Sequence, residues 1–303
     1  MTSPTDIPNF GGGSGGSGGP AGGPSGNGAS SPASGDEVRN DAVRAAIEAV
    51  AAEAAGSGPA GTATTVDVLR HCLFGYLLLD ITGSELELTD TGEIAEGSTI
   101  NVRGGEGPDG GPAIFAFTSQ EQLAQMYPDG GAAEGVQVQS LIQEAAGVLE
   151  LVQQQDVRWL CLDPAGPSVA LSADDLEFAL RVPRNYLVRA TLEPGVERSR
   201  LLAALQADGP LSLAVDAPDL EPGVSESNTQ VQVRTTDSPD GNGQALAVFT
   251  SGPEVVARAP EDKIATQSAA EVLALARDGG FGGMVINPAG PWAFVPATEL
   301  QGL

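Results

Sequence analysis

The sequence predicts an α+β protein built from two tandem copies of one domain, each a mixed or antiparallel sheet with covering helices. Three observations predict this. First, segments recur in order: AIFAFTSQEQL (113–123) matches ALAVFTSGPEV (245–255), and LCLDPAGPSVAL (160–171) matches MVINPAGPWAFV (284–295). Second, YLLLDITGS (76–84) parallels LSLAVDAPD (211–219), and Ser140-Leu-Ile-Gln143 parallels Ser268-Ala-Ala-Glu271. The offsets shrink through 136, 132, 128 and 124 residues for Asp80, Phe117, Ser140 and Asp163, as loop trimming between matched elements produces. Third, short apolar runs bounded by Gly/Pro turns alternate within each copy with stretches of helical period, the pattern of α+β rather than all-β architecture. Residues 1–35 form a Gly/Ser/Pro-rich tail expected to be disordered, 36–182 the first copy and 183–303 the second.

Each copy opens on a helix. Ser34 and Glu37 form a capping box, and Val38, Val43, Ile47 and Val50 give one apolar face up to about residue 55. Val196, Leu201, Leu202 and Leu205 do the same before Gly209-Pro210. Strands are expected at 73–81, 98–103 and 112–118, and at 211–216, 228–235 and 245–250, with GGEGPDGG and DSPDGNG as hairpin turns. A short helix follows each F-T-S, capped by Ser119 with Gln122 and by Ser251 with Glu254; a second helix is expected at about 140–155 and 269–277. An apolar strand (157–162, 281–286), the D/N-P-A-G-P turn, a short strand and a helical turn complete each copy, with Ser172 capping the last helix of the first. The joining segment 181–194 reads as a linker with one strand and without a counterpart ahead of the first copy.

Forty acidic residues face fourteen basic ones, a formal charge of −26. That field repels phosphate backbones, and no basic stripe interleaved with aromatics occurs, so nucleic acid is not an expected partner. The longest strongly apolar run, near LFGYLLL (73–79), falls short of the roughly 20 residues of a membrane span. There is no basic n-region with an apolar stretch behind it. Cys72 and Cys161 read as buried reduced thiols of a cytoplasmic protein. One histidine, His71, placed at a strand start, and one lysine, Lys263, leave no material for a His/Cys metal cluster. No phosphate-binding loop, dinucleotide fingerprint or nucleophile elbow is present. No cofactor or metal is expected.

The candidate site positions are Asp163 and Asn287, Asp80 and Asp216, and Trp292. Asp163 closes an apolar run on a Pro/Gly turn, as displayed catalytic carboxylates do. Its partner in the second copy is Asn287, whose amide cannot act as base or nucleophile, so the two copies cannot run one carboxylate chemistry. What Asp and Asn share is turn formation through Asx hydrogen bonds to nearby backbone. Pro164 and Pro288 preset φ, Gly166 and Gly290 permit φ > 0, and Pro167 and Pro291 end ladder pairing. A hard-cation site using Asp163 with Asp174 and Asp175 competes with a plainer role for the latter two in a helix first turn. Asp80 and Asp216 recur at a strand end in both copies. Trp159 and Trp292 read as packing residues, with Trp292 also able to serve as an exposed interface anchor.

The segments IFAFTSQEQL with WLCLDPAGPSVAL, and LAVFTSGPEV with MVINPAGPWAFV, resemble the SseB family N-terminal domain in both copies. The resemblance covers most of 60–303, and the tandem arrangement behind a Gly-rich leader is similar to actinobacterial members. It implies a cytoplasmic bacterial protein of a family named for enhanced sensitivity to serine, with no established catalytic activity. A secreted translocon subunit carries the same family name; the long heptads or membrane-active segments that such a subunit needs do not occur in this chain. The expected function is therefore non-catalytic, through contact with a protein partner. A small-ligand-binding regulator or enzyme of amino-acid metabolism and a secretion-associated accessory protein or chaperone are the alternatives.

Overall fold

The computed structural model describes residues 38–57, 64–87, 89, 95–128, 137–155, 157–216 and 232–303. The tail at 1–35 and the capping box at 34–37 lie outside them. The chain divides into two compact units, Met1–Ala63 with Gly75–Ala173, and Thr64–Phe74 with Asp174–Leu303. The contact grouping changes units at 173/174, nine residues before the repeat boundary expected at 182/183, and one segment from inside the first copy groups with the second unit.

In the first unit, helix α1 (Asp41–Ala54) starts at Asn40, whose side chain accepts the Val43 N–H. Val43 and Ile47 form its buried face. Helix α2 (Thr65–Cys72) follows in sequence and belongs to the second unit. Strands β1 (Tyr76–Asp80), β2 (Gly104–Glu106) and β3 (Pro112–Phe117), helix α3 (Gln120–Ala124), strand β4 (Ser140–Glu144), helix α4 (Ala145–Gln154) and strands β5 (Trp159–Leu162) and β6 (Val169–Ser172) complete the unit. The sheet runs β4-β1-β3-β5-β6, with β2 also paired to β3. Only β3 and β5 are parallel; the other pairs are antiparallel, giving a mixed sheet. Helix α4 packs on β1 and β5. On the other face, Leu78 and Phe117 pack with Leu123 of α3 and with Tyr127.

The second unit repeats this plan. Helices α5 (Ala173–Arg181), α6 (Tyr186–Ala190) and α7 (Arg198–Gln206) lead to strand β7 (Pro210–Asp216). Strands β8 (Gln232–Val233), β9 (Thr235–Asp237) and β10 (Gln244–Val248), helix α8 (Gly252–Arg258), strand β11 (Lys263–Ser268), helix α9 (Ala269–Asp278), strands β12 (Gly283–Ile286) and β13 (Ala293–Pro296) and helix α10 (Ala297–Leu300) follow. The sheet is parted here into β13-β12-β10-β9 and β11-β7-β8, joined by the bridge of Ser212 to Phe249 and by backbone bonds of Arg234 to Ala214 and Ala247. Helix α2 packs against α8. Helices α6, α7, α9 and α10 contribute Val188, Leu201, Leu205, Val272, Leu273 and Leu300 to one core with β7, β10 and β12.

Several expectations are corrected. Residues 140–144 and 263–268 form edge strands, β4 and β11, so Ser140 caps nothing; the residue before α4 is Glu144, matching Ser268 before α9. A strand run with intermediate and exposed residues carries little period-2 contrast, which hid both. Residues 98–103 stop short of β2, although Arg103 bridges Asp80 and Phe115 through its backbone at 2.8 and 3.3 Å. The part of 228–235 below 232 lies outside the described residues. His71 is in the last turn of α2, not at a strand start. The segment 181–194 holds no strand: it carries α6, and it has a counterpart. Asn40-x-x-Val43-Arg44-Ala-x-Ile47-Glu48 recurs as Asn185-x-x-Val188-Arg189-Ala-x-Leu192-Glu193. Asn185 caps α6 by accepting the Val188 N–H, as Asn40 caps α1, and its own N–H donates to Thr250 O as that of Asn40 does to Thr118 O.

Candidate functional site

The parallel pairing of β3 with β5 sets the residues after their ends, Thr118 and Asp163, side by side. Asp163 has φ +50°, the left-handed region that Asp and Asn enter most readily among residues with a Cβ. Its N–H donates to Ala116 O at 3.0 Å, continuing the parallel ladder by one bond. Its side chain points inward and is fully buried. Oδ1 accepts the Thr118 N–H at 2.9 Å, and Oδ2 accepts the Thr118 hydroxyl at 2.7 Å and Arg44 Nη1 at 3.0 Å. The same Arg44 nitrogen reaches Gln122 Oε1 and Pro167 O, both at 3.2 Å, while its Nε holds Glu48 at 2.9 Å. Gly166 N–H returns to Asp163 O at 3.1 Å and closes the turn.

Asn287, φ +49°, does the same for β10 and β12. Its N–H donates to Val248 O and its Oδ1 accepts the Thr250 N–H at 2.9 Å. The third bond is reversed: Asn287 Nδ2 donates to Thr250 Oγ1 at 2.9 Å, where Thr118 donates to Asp163. The Asp/Asn position is thus a clamp between neighbouring strand ends. Its partner is backbone 45 residues away in the first unit and 37 in the second, not the nearby backbone of an Asx-turn. Gly290 takes φ +84° as expected, but Gly166 does not have positive φ; a Cβ there would come within 3.2 Å of Gln125 Oε1. Pro164, Pro167, Pro288 and Pro291 all lie in the turns, between the strands β5 and β6 or β12 and β13.

The buried acid has changed place between the units. Opposite Arg44 the first unit has Asp163 and Gln122; the equivalent positions of the second unit, which has Arg189 in place of Arg44, are Asn287 and Glu254, and Arg189 acts on the Glu254 carboxyl. Ser119 and Ser251, which precede α3 and α8 with matching extended backbone, fix the equivalence of Gln122 with Glu254. Each unit therefore keeps one buried carboxylate near its arginine, on the turn in one and on the helix in the other. Glu254 is fully buried, and Arg70 of α2 approaches its Oε2 at 3.5 Å while also donating to Gly290 O. Burial pushes the Glu254 carboxyl up to about 7 against the pull of Arg70 and Arg189. Ser251, expected as a cap, makes no cap bond; its Oγ, Glu254 Oε1 and Arg189 Nε are buried without a partner. Arg189 lies over the Phe74 ring, 4.8 Å from its centroid.

The aspartates expected to match do not. Leu78 faces Phe117 and Ser212 faces Phe249, so Asp80 corresponds to Ala214, and Asp216 lies two residues beyond. Asp80 is buried, accepting Tyr127 OH at 2.6 Å and the Thr82 N–H at 2.9 Å. Asp216 is exposed at the end of β7. The structure brings neither to Asp163 or Asn287 by any hydrogen bond among the described residues. Asp174 and Asp175 occupy the first turn of α5. Among the described residues no group of three or more His, Cys, Asp or Glu is placed to hold a metal ion. Trp159 is partly buried, its indole N–H donating to Asp109 at 2.7 Å, whereas Trp292 is 54% exposed. Cys72 and Cys161 are not joined in a disulfide, and burial pushes the Cys161 thiol up. A cavity of about 390 Å³ adjoins the first turn, lined by Phe115, Cys161, Pro164 and Val169 among others.

Two α+β units of one plan, each tied at the ends of its parallel strands by a buried left-handed Asp or Asn, define a tandem-repeat protein. The family model described as the SseB protein N-terminal domain matches residues 44–177 and again 187–301. The chain belongs to the SseB family, with the matched domain present twice. No curated protein and no solved structure matches it. Among the described residues no helix is long and apolar enough to cross a membrane.

Proposed function

We propose that this chain is a non-catalytic, cytoplasmic protein that acts by contact with another protein, and that Trp292 anchors the contact. The observation that carries the reading is Trp292 itself: a large indole 54% exposed, on the turn between β12 and β13, directly behind the Asn287 clamp. Trp is the side chain most enriched where binding energy concentrates, and a turn held by buried hydrogen bonds presents it with little ordering entropy to lose. The non-catalytic part rests on the commitment of Asp163, whose carboxylate oxygens are occupied by Thr118 and Arg44 away from solvent, and on the amide at Asn287.

The test is quantitative affinity capture from native lysate by the tagged full chain and its Trp292→Ala variant, with circular dichroism as a control for folding. A specific partner depleted at least about tenfold by the substitution is expected, as for a hot-spot residue. Equal capture by both chains, or specific turnover of a substrate by the purified protein that Asp163→Asn abolishes, overturns the reading.

A further inference from the structure

Three differences between the copies converge on one place. In the first unit the Tyr127 hydroxyl donates to Asp80 at 2.6 Å and accepts from Arg103 at 2.5 Å, and the Arg103 guanidinium lies over the Tyr127 ring, 5.1 Å from its centroid. Phe115 packs in the same apolar cluster. The strand registers carry each of these residues into the second unit. Arg103 O accepts the Phe115 N–H as Arg234 O accepts the Ala247 N–H, and the Arg103 N–H donates to Asp80 O as that of Arg234 donates to Ala214 O. Tyr127 packs on Phe117 and Leu123, and Ala259 packs on the equivalent Phe249 and Val255. Asp80, Phe115 and Tyr127 have thus become Ala214, Ala247 and Ala259, while the arginine is kept.

The second unit has a cavity of about 310 Å³ at this place, lined by Arg234, Thr235, Ala247, Arg258, Ala259 and Asp262 among others. That volume lies at the lower end of the range for small-ligand pockets, about 300–1,000 Å³. Arg234 is held there by a two-point pair with Asp262, at 2.5 and 2.6 Å. Ile264 packs on the same alanines and takes up part of the lost volume; the void that remains destabilises a fold unless something occupies it.

We propose that this cavity binds a phenol ring, seated on Ala247 and Ala259 with its hydroxyl toward Arg234, in the position that Tyr127 fills in the first unit. The charges select a neutral ring over an anion, because Arg234 and Arg258 are balanced by Glu261 and Asp262 in the same lining. Ring-face contact with a guanidinium and a hydroxyl accepting from it are the interactions that Arg103 already makes with Tyr127. A tyrosine side chain of a protein and a small free phenol share this chemistry. Trp292 does not line the cavity, so the site goes beyond the contact proposed above.

The test titrates the isotope-labelled full chain with p-cresol and follows backbone amide resonances. Saturable shifts centred on Arg234, Ala247 and Ala259 are expected, with a dissociation constant on the order of 1 mM for so small a ligand. The same shifts with N-acetyl-tyrosinamide support a tyrosine on a polypeptide as occupant; shifts with p-cresol alone support a free phenol. Ala259→Tyr supplies the ring from within and should weaken p-cresol at least about tenfold, a full displacement of the ligand's contact area. If that variant does not fold, Ala247→Phe provides the same block. Trp292→Ala should leave the titration unchanged even where it abolishes partner capture. Absence of shifts at these amides up to the solubility of p-cresol, or equal binding by wild type and the filled variants, overturns the proposal.

Discussion

Replacing Asp163 tests whether the signature turn is a clamp. In Asp163→Asn the Thr118 N–H keeps its acceptor, and the Thr118 hydroxyl turns from donor to acceptor, as Thr250 already does toward Asn287. What is lost is the Arg44 bond itself, because the amide nitrogen that replaces Oδ2 donates and cannot accept from the guanidinium. A hydrogen bond to a charged group contributes roughly 1.5–3 kcal/mol. Arg44 is 18% exposed and keeps Glu48 and Pro167 O, which places the expected cost near the bottom of that range or below it, about 1–2 kcal/mol. Asp163→Ala removes all three bonds. It strands the buried Thr118 N–H, at about 1–3 kcal/mol, and forces Ala into the left-handed region at about 1–2 kcal/mol more. With the Arg44 bond added, the alanine variant should lose about 3–7 kcal/mol, a large part of the 5–15 kcal/mol that holds an ordinary domain. The assay is urea unfolding in a Trp292→Phe background, where Trp159 on β5 is the sole tryptophan and reports the first unit. Adding Gln122→Glu to Asp163→Asn recreates the arrangement of the second copy and should recover at least about half of the loss, since it restores an acid opposite Arg44. Equal costs for Asn and Ala, or an Ala variant within about 1 kcal/mol of its parent, would refute the clamp.

In the second unit, His71 is lowered from 6.5 to about 4, by burial first and then by Arg70 and Arg189. Between those values the unfolded chain binds a proton that the folded one does not, so this term gains stability as pH rises. Glu254, raised from 4.5 to about 7 by burial, has the opposite sign: the folded chain holds a proton that the unfolded one has released, and stability falls as pH rises. The two oppose each other across about pH 4.5–6.5, so wild type should be nearly flat there. Glu254→Gln should expose a rise and His71→Gln a fall, each on the order of 3 kcal/mol, read from Trp292 in a Trp159→Phe background. Flat profiles in both variants would contradict the assignment. Tyr127→Phe removes the hydroxyl that the buried Asp80 accepts and should cost about 1–3 kcal/mol in the first unit. A cost below about 0.5 kcal/mol would show that only the ring matters.

The duplication and the LDPAGP/INPAGP turns were legible because turn chemistry is carried by residue type: Pro, Gly and a short polar side chain can be read directly. The hairpins GGEGPDGG and DSPDGNG were legible for the same reason, and they join β2 to β3 and β9 to β10. Which residue takes the left-handed backbone was not, because Gly166 and Asp163 both can, and tertiary contact decides in favour of Asp163. Asp80 and Asp216 differ by a two-residue slip of register, invisible where the strands before them, YLLL and LSLAV, are mostly apolar. The Arg44/Arg189 equivalence is present in the sequence as N-x-x-V-R-A-x-[IL]-E, but its six named positions have the composition of an ordinary helix and little contrast beside the F-T-S motif. The exchange of acid between turn and helix needed both arginines placed before it could be seen.

Helix α2 gives the second unit a long wait during synthesis. Arg70 leaves the ribosome 184 residues ahead of Glu254, the side chain it approaches in the folded protein. At elongation rates of about 5–20 residues per second the helix stands without that partner for roughly 10–40 s. The part of the first unit that follows α2, Gly75–Ala173, emerges within that interval and completes that unit. A ribosome pause placed after the first unit would lengthen the exposure of Val68, Leu69 and Cys72, all buried in the finished fold, without altering a single residue of either copy.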